Sequence, residues 1–552
     1  MKKIISKSIA LILSLATVMS VTAGCSSGGT SSSSQSASKE SNITTKDGFF
    51  WSKNPITITM LYQDNTIYPY KDSWTFFKTL KEKTNVTLKP TVVAQADYVQ
   101  KRSVLIASGQ EPQVIPKTYP GQEDPFVTSG QILPISDYLN LMPNYTKNLK
   151  DWNITDDLNS ITQGDGKYYI MPGLHQSYNQ DYSICMRMDI LKKNNIKAPE
   201  TWDEFYDVLK QLKKLYPDVV PFSDRWNMGA TLQFAGPAFL KTGTGLAATD
   251  GNFSPSDLLS FDSSTKKFSF YPTSDGYKAE LQYFNKLIAE GLMDKESVTQ
   301  TRDQAVNKFG SGKCFAMSAN SQALKNDYAP KLDSTLGKGN YEIAKINVPG
   351  GPAGNLVQGN RLENGVMVTK KAKDDPNFET IMGFVDWLWN SEKAQEFCKW
   401  GIEGETYTKS GDTYQIKSGY ALPAYGIGDK DGKDMRKEMG FGGGNFVLSY
   451  GGPDALAHSY MTKEDIAFSE NVSKTRTLIP QPPKVAYDEA TKESQELLNT
   501  QLKDYCNQMT YKFILGQKNL TSDWDSYVKE FQNKGATKYV DTANSVYANQ
   551  KK

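Results

Sequence analysis

The chain holds few of the groups that do covalent or metal chemistry. Its 552 residues include two histidines, His175 and His458, and five cysteines. Cys185, Cys314, Cys398 and Cys506 stand far apart, with no CxxC pair and no Cys/His cluster, which argues against zinc and suits buried free thiols. Gly442-Gly443-Gly444 is not followed by the Lys-Ser/Thr that would cradle a nucleotide phosphate. Asp429-Lys430-Asp431-Gly432-Lys433-Asp434 has the oxygen density of a calcium loop, but its glycine comes fourth rather than sixth, so it reads as a solvated turn. No metal and no cofactor is expected. His175, in Leu174-His175-Gln176-Ser177, has no nucleophile or metal ligand beside it in sequence and reads as a hydrogen-bonding residue rather than a catalytic base. A pair of glycosidase carboxylates stays open among 61 Asp and Glu, because only their separation in space would reveal it.

What the chain does carry is flat rings interleaved with planar polar groups. They fall in Tyr62-Gln63-Asp64-Asn65, Ser223-Asp224-Arg225-Trp226-Asn227, Asn320-Ser321-Gln322, Gln358-Gly359-Asn360-Arg361, and the Gly-rich run from Phe441 through Asn445 to Tyr450-Gly451-Gly452. Rings of this kind cover the C–H faces of pyranoses. Planar amides, carboxylates and guanidinium groups share hydrogen bonds with vicinal hydroxyls, which matters because a buried polar group left unpaired costs about 1–3 kcal/mol. Trp226 and Tyr450 are the candidate stacking platforms. Tyr62, Asp64, Asp224, Asn320 and Arg361 are the candidate contacts beside them. The competing reading for each is a capping residue or a half-buried surface aromatic.

The elements that must position these loops follow from periodicity. Ile56 to Leu61 is β-branched and apolar enough for a buried strand, Ser73 to Lys83 reads as a helix capped by Ser73, and Val86-Thr87-Leu88 with Thr91-Val92-Val93 is the next extended segment. A helical run from Tyr98 to Ser108, stopped by Gly109, leads to a short strand at Val114-Ile115. This β-α-β alternation predicts a mostly parallel sheet buried on both faces. Asp165 to Gly173 reads as a turn feeding a strand that ends at Pro172-Gly173, and Tyr182 to Arg187 as another strand. Thr201 with Glu204 predicts a capping box opening a helix whose Trp202, Phe205, Leu209, Leu212 and Leu215 form a core stripe.

Upstream of the fold, Met1-Lys2-Lys3 and Lys7 precede an uncharged run from Ser8 to Ala23 that closes on Gly24-Cys25. That is the pattern of an export signal, too short and too abruptly ended for a stable membrane span. Val21-Thr22-Ala23-Gly24-Cys25 resembles a bacterial lipobox, in which Cys25 would be diacylated and become the first mature residue; Thr22 stands where a Leu is usual. The Ser-rich tract after it reads as a flexible tether. The formal charge of +2 becomes −1 once Lys2, Lys3 and Lys7 leave with the signal, which argues against nucleic acid or an anionic membrane surface as partner.

Arg187-Met188-Asp189-Ile190-Leu191, a short Asn-rich loop and Pro199-Glu200-Thr201-Trp202-Asp203-Glu204-Phe205 resemble the central signature of extracellular solute-binding proteins that feed ABC importers. Pro112-Gln113-Val114-Ile115 after Gly109, the strand Gly310 to Met317, and Asp375-Pro376 through Trp400 are similar to further segments of that family. Gly401-Ile402-Glu403-Gly404-Glu405-Thr406-Tyr407, followed by a hairpin at Gly411-Asp412, resembles a motif of the large lipoprotein branch that includes LipO and LplA. Thr406 replaces the usual His there, so no role of that His carries over.

The resemblance implies an α/β, two-lobed, periplasmic-binding-protein-like (class II) fold with discontinuous lobes and a helical C-terminal extension. It implies a signal peptide over 1–24, a Ser-rich tether over 25–50 and an N-terminal lobe from 51–172 and 366–440. The C-terminal lobe would take 173–365, with a cleft-flanking loop and closing helices over 441–552. Hinge crossings are expected near Ile170 to Gln180 and near Leu362 to Val368, placing His175 and Gly365 at the hinge. The function so implied is capture of an extracellular solute, an oligosaccharide, by a lipid-anchored monomer on the outer face of a bacterial membrane, and delivery to ABC permease subunits without catalysis. Three alternatives stand beside it. They are a peptide or modified-sugar binder, a ligand-presenting partner of a sensor kinase, and a surface enzyme that degrades polysaccharide.

Overall fold

In a computed structural model the described residues are 42–66, 68–241, 244–249, 252–442 and 451–550. The export signal, Cys25, the Ser-rich tract and Tyr450 lie outside them.

The chain opens with a hairpin, β1 (Ile43–Lys46) against β2 (Phe49–Ser52). It then enters a five-stranded sheet through β3 (Ile56–Asp64), β4 (Val86–Ala94) and β5 (Val114–Thr118). β3 pairs in parallel with β4 and with β5. Two more strands complete the sheet: β6 (Met171–Asn179) and a return strand, Asn360–Val368, which pairs antiparallel with both β5 and β6. Neighbouring residues point to opposite faces. Met60, Val114 and Val368 enter one core, while Leu61, Ile115 and Met367 enter the other, which is why these strands read as continuous apolar runs.

A second sheet is built from β7 (Ser183–Arg187), β8 (Phe222–Ser223) and the strands Ala316–Ala319 and Ile343–Lys345. Of its three pairings only β8 with Ala316–Ala319 is parallel. The expectation of mostly parallel sheets therefore needs correcting. The β-α-β units supply parallel pairs, but strands arriving from the distant half of the chain enter antiparallel, and local alternation carries no information about them.

Three local expectations also change. β6 begins at Met171 and runs through Pro172 and Gly173 instead of stopping there; it is an edge strand, where a proline deprives no neighbour of a ladder bond. Thr201 caps the helix Trp202–Leu215 by accepting from the Glu204 amide at 3.1 Å, but the Glu204 carboxylate reaches the Glu200 amide at 2.7 Å, so the capping box is half formed. The first helix is Thr75–Thr84, beginning after Trp74 rather than at a Ser73 cap.

Two separate hydrophobic cores define the lobes. The larger face of the first draws on side chains within 49–174 and 362–456, and that of the second on side chains within 184–357 and 468–547. The C-terminal helices Glu489–Ile514, Trp524–Asn533 and Ala536–Gln550 bury Leu502, Phe513, Tyr527, Phe531 and Tyr539 in the second core, so they are built into that lobe. Cys185, Cys314, Cys398 and Cys506 are buried free thiols. Among the described residues no helix is long and apolar enough to cross a membrane.

Candidate functional site

Strand direction locates the site. Because the return strand runs antiparallel to both β5 and β6, β6 runs parallel to β5 and carries the chain out past the end where β3 and β5 finish. It passes straight into β7, whose first residue, Ser183, pairs with Ala319, the last residue of its neighbour, and β8 runs parallel to that neighbour. The carboxyl ends of β3 and β5 in one lobe, and of β8 and Ala316–Ala319 in the other, thus all lie where the chain crosses between lobes. Open α/β sheets bind ligands outside such ends.

On the first lobe, Tyr62 is 1% exposed and its ring packs on Tyr70 at 5.1 Å and Trp74 at 6.4 Å, so its aromatic surface is spent on the core. Asp64 accepts a hydrogen bond from the Tyr70 amide at 2.7 Å and shapes the turn after β3. Residues that sequence reasoning missed stand alongside. Lys117, next to the end of β5, has a left-handed backbone (φ 53°) and is buried. Such strain in a non-glycine residue clusters at functional sites. Burial pushes its ammonium from the ordinary 10.5 down to about 8, the Arg436 charge adding to the effect and Glu363 opposing it. Tyr119, two residues on, is 44% exposed. The Arg436 guanidinium lies 3.8 Å over the Tyr68 ring and donates to the Tyr68 hydroxyl at 2.8 Å. A charged residue closing a buried strand was the one available signal for Lys117; nothing near Arg436 in sequence pointed to it.

At the crossing, buried His175 on β6 sits with Nε2 3.6 Å from Glu363 Oε2 on the return strand. Burial pushes the Glu363 carboxyl up, but His175 and the Asn364 amide outweigh this and hold it below its usual range. The segment at Gly452 lies against β6: its amide donates to the Leu174 carbonyl at 2.7 Å, and the Gln176 amide donates back at 3.2 Å. A Cβ on Gly365 would stand 1.9 Å from the Met171 carbonyl oxygen, so only glycine lets the two crossing strands approach this closely. Arg361, expected as a ligand contact, instead donates to the backbone carbonyls of Trp152, Asn153 (3.2 Å), His175 (3.4 Å) and Gln176 (2.6 Å). It stitches the crossing strands to the first lobe.

On the second lobe, Asp224 is fully buried. Its carboxylate accepts from the Trp226 amide at 2.6 Å, the Met228 amide at 2.8 Å and the Thr231 hydroxyl. Burial raises its pKa against those bonds. Asp224 therefore organises the loop that presents Trp226. Asn320 accepts from the Ala323 amide at 2.9 Å and caps the turn after its strand. Trp226 is half-buried, edge-on to Tyr182 at 5.4 Å, with the Arg225 guanidinium 4.7 Å from its ring; Arg225 is itself anchored to Asp327 at 2.5 Å. Beside them Lys345, whose side chain is 3% exposed, lies 2.6 Å from Asp181 Oδ1 and 2.9 Å from the Ser321 hydroxyl.

The structure thus brings Tyr62 and Asp64 together on one wall, Asp224, Trp226 and Asn320 on the other, and His175, Gly365 and Arg361 at the crossing. Trp226 keeps a rigid, partly open ring, while Asp224 and Asn320 are scaffolding for it. Asp429 and Asp434 spend carboxylate oxygens on the Gly419 amide (2.7 Å) and the Arg436 amide (3.0 Å) respectively, as turn residues do. Among the described residues no group of three or more His, Cys, Asp or Glu could hold a metal ion.

Comparison with known proteins bears on this arrangement. A family model described as bacterial extracellular solute-binding protein matches residues 75–424. The polygalacturonan/rhamnogalacturonan-binding protein YtcQ of Bacillus subtilis is 23% identical over 494 residues, covering 84% of this chain and 86% of the relative. Lipoprotein LipO of the same species is 25% identical over 348 residues, 60% of this chain and 63% of the relative. Among solved structures, an HMO-binding, ABC-transporter-associated solute-binding protein from Bifidobacterium longum infantis superposes with a TM-score of 0.66 at 19% identity, over 90% of this chain and 98% of that one. That likeness establishes the two-lobed fold.

Proposed function

The chain belongs to the bacterial extracellular solute-binding protein family, and on that premise we propose that it takes up an oligosaccharide between its lobes and passes it unaltered to an ABC importer permease. The observation that carries the reading is the convergence of the strand ends of both sheets on the crossing formed by β6 and the return strand. A ligand there touches both lobes at once, so binding and hinge closure are coupled. Trp226 supplies a flat face for a sugar ring, and Lys117, Glu363 and Arg436 supply planar or charged partners for hydroxyls. The relatives' names support a saccharide: polygalacturonan or rhamnogalacturonan for one, HMO for the other. Diacylation of Cys25 would hold the monomer on the outer face of the membrane through two buried chains, each methylene contributing about 0.8 kcal/mol.

The test is a thermal-shift screen of the chain lacking residues 1–25 against oligosaccharides, monosaccharides and short peptides. Ligand at 100 times its dissociation constant adds about 2.7 kcal/mol of stability. An oligosaccharide that stabilises the protein and is recovered intact supports the reading. A sugar recovered cleaved would replace it with hydrolysis, and a response to peptides alone would replace it with peptide uptake.

A further inference from the structure

One side-chain contact joins the lobes apart from the places where the chain itself passes between them, at β6, at the return strand and between Leu456 and Phe468. After the strand Thr477–Ile479, which pairs with Leu356–Gln358, the chain runs through a proline-rich stretch, Pro480-Gln481-Pro482-Pro483, before the long helix Glu489–Ile514 of the second lobe. Val485 and Tyr487 pack against the second core, the Ala486 amide donates to Gln550 Oε1 at 2.8 Å, and Gln495 donates to the Tyr487 hydroxyl at 3.1 Å. Lys484, in the same stretch, reaches the other way. Its amide donates to the Asn159 carbonyl at 3.1 Å, and its ammonium pairs with Asp124 and lies 3.9 Å from Glu123 Oε1, all in the first lobe.

The first-lobe half of this contact is built rather than incidental. Glu123 is completely buried, with Oε2 accepting from the Gly121 amide at 2.8 Å. Asp124 is fixed by Gln163, which donates at 2.9 Å. Next to Gln163 a Cβ on Gly164 would come 2.8 Å from the Ala486 side chain, so the strap lies flush on the lobe. Prolines restrict the backbone leading to Lys484, so less freedom is lost in holding it in place.

We propose that Lys484, held by Asp124 and Glu123, is a noncovalent clasp between the lobes, which restricts hinge motion about β6 and the return strand. The crossing segments are continuous chain and cannot let go, whereas an ion pair is noncovalent and can break and re-form. The clasp therefore sets how readily the lobes separate.

The experiment places spin labels at Lys101→Cys in the first lobe and Lys210→Cys in the second, both exposed positions, and measures the inter-label distance distribution of the otherwise intact chain. Lys484→Met and Asp124→Asn are each expected to broaden the distribution or shift its mean by several ångströms, and the double variant to do no more than either alone. Lys370→Met, which removes the exposed Lys370–Asp374 pair within the first lobe, is expected to leave it unchanged. If Lys484→Met does not fold, Asp124→Asn, which leaves the strap's packing intact, carries the test. Distributions identical to wild type in the folded clasp variants, or an equal change in Lys370→Met, would overturn the proposal.

Discussion

Lys399 offers a quantitative test of how the hinge region is supported. It lies on the helix Glu392–Trp400 and is buried, with its ammonium 6.0 Å from the Tyr460 ring centre and donating to the Gly451 carbonyl at 3.3 Å. The neighbouring Gly452 is the residue that lies against β6 at His175. Burial pushes the Lys399 ammonium down from 10.5 to about 8. A base whose folded pKa lies below its unfolded one adds stability that is present above the unfolded value and lost as pH falls through the folded one. At about 1.4 kcal/mol for each pH unit, the charged lysine costs the fold about 3 kcal/mol at pH 7 and less than about 0.5 kcal/mol at pH 10.5. Lys399→Met removes that titration and, relative to the neutral amine, forfeits one uncharged hydrogen bond to the Gly451 carbonyl, about 0.5–1.5 kcal/mol. The variant should therefore be more stable than wild type by about 2 kcal/mol at pH 7 and lose that advantage by pH 10.5. Stability is read from denaturant midpoints of both proteins at several pH values. Lys117 also titrates near pH 8, but it is present in both proteins and cancels in their difference. A stability difference that stays flat from pH 7 to 10.5 would refute the idea that this ammonium is buried without a countercharge.

Three further outcomes are expected. Trp226→Ala should weaken oligosaccharide binding about tenfold in calorimetry, as loss of a stacking ring costs about 0.5–1.5 kcal/mol beyond its area, with the melting temperature nearly unchanged; unaltered affinity would remove Trp226 from the site. Gly365→Ala should cost about 3 kcal/mol of stability, since its Cβ would meet the Met171 carbonyl at 1.9 Å and force the crossing strands apart; a stability loss below about 1 kcal/mol would show that the strands yield easily. Cys25→Ser should move the protein from the membrane fraction of cells into the medium; retention on the membrane would discard the lipid anchor.

The parts of this molecule that could be read from sequence are those whose cause is local. β3, β4, β5 and β7 follow from short apolar runs, and the helix Trp202–Leu215 from a 3.6-residue stripe with Thr201 at its head. Trp226 stands out in sequence as a flat ring in a polar loop after a strand, and the structure shows it half-buried against Tyr182 and Arg225, with its contact to a ligand a proposal. Asp224 and Arg361 stand out as planar polar groups in such loops, yet their partners are decided elsewhere. Asp224 is enclosed by Thr231 on the following helix and the loop it caps, and Arg361 finds four carbonyls, all between 185 and 209 residues away in sequence.

A polar side chain near a strand's carboxyl end can either face the ligand or hold the loop that does, and the sequence is silent on which, because both roles need the same hydrogen-bonding groups. What separates them is burial with satisfied partners. Asp224, with three internal donors and no exposed surface, has nothing to present to a hydroxyl, whereas Lys117 and Arg436 stand beside the ends of β5 and β3, Arg436 against the Tyr68 ring. Both are therefore proposed as ligand contacts on their place at the strand ends, which no local sequence pattern marks for Arg436.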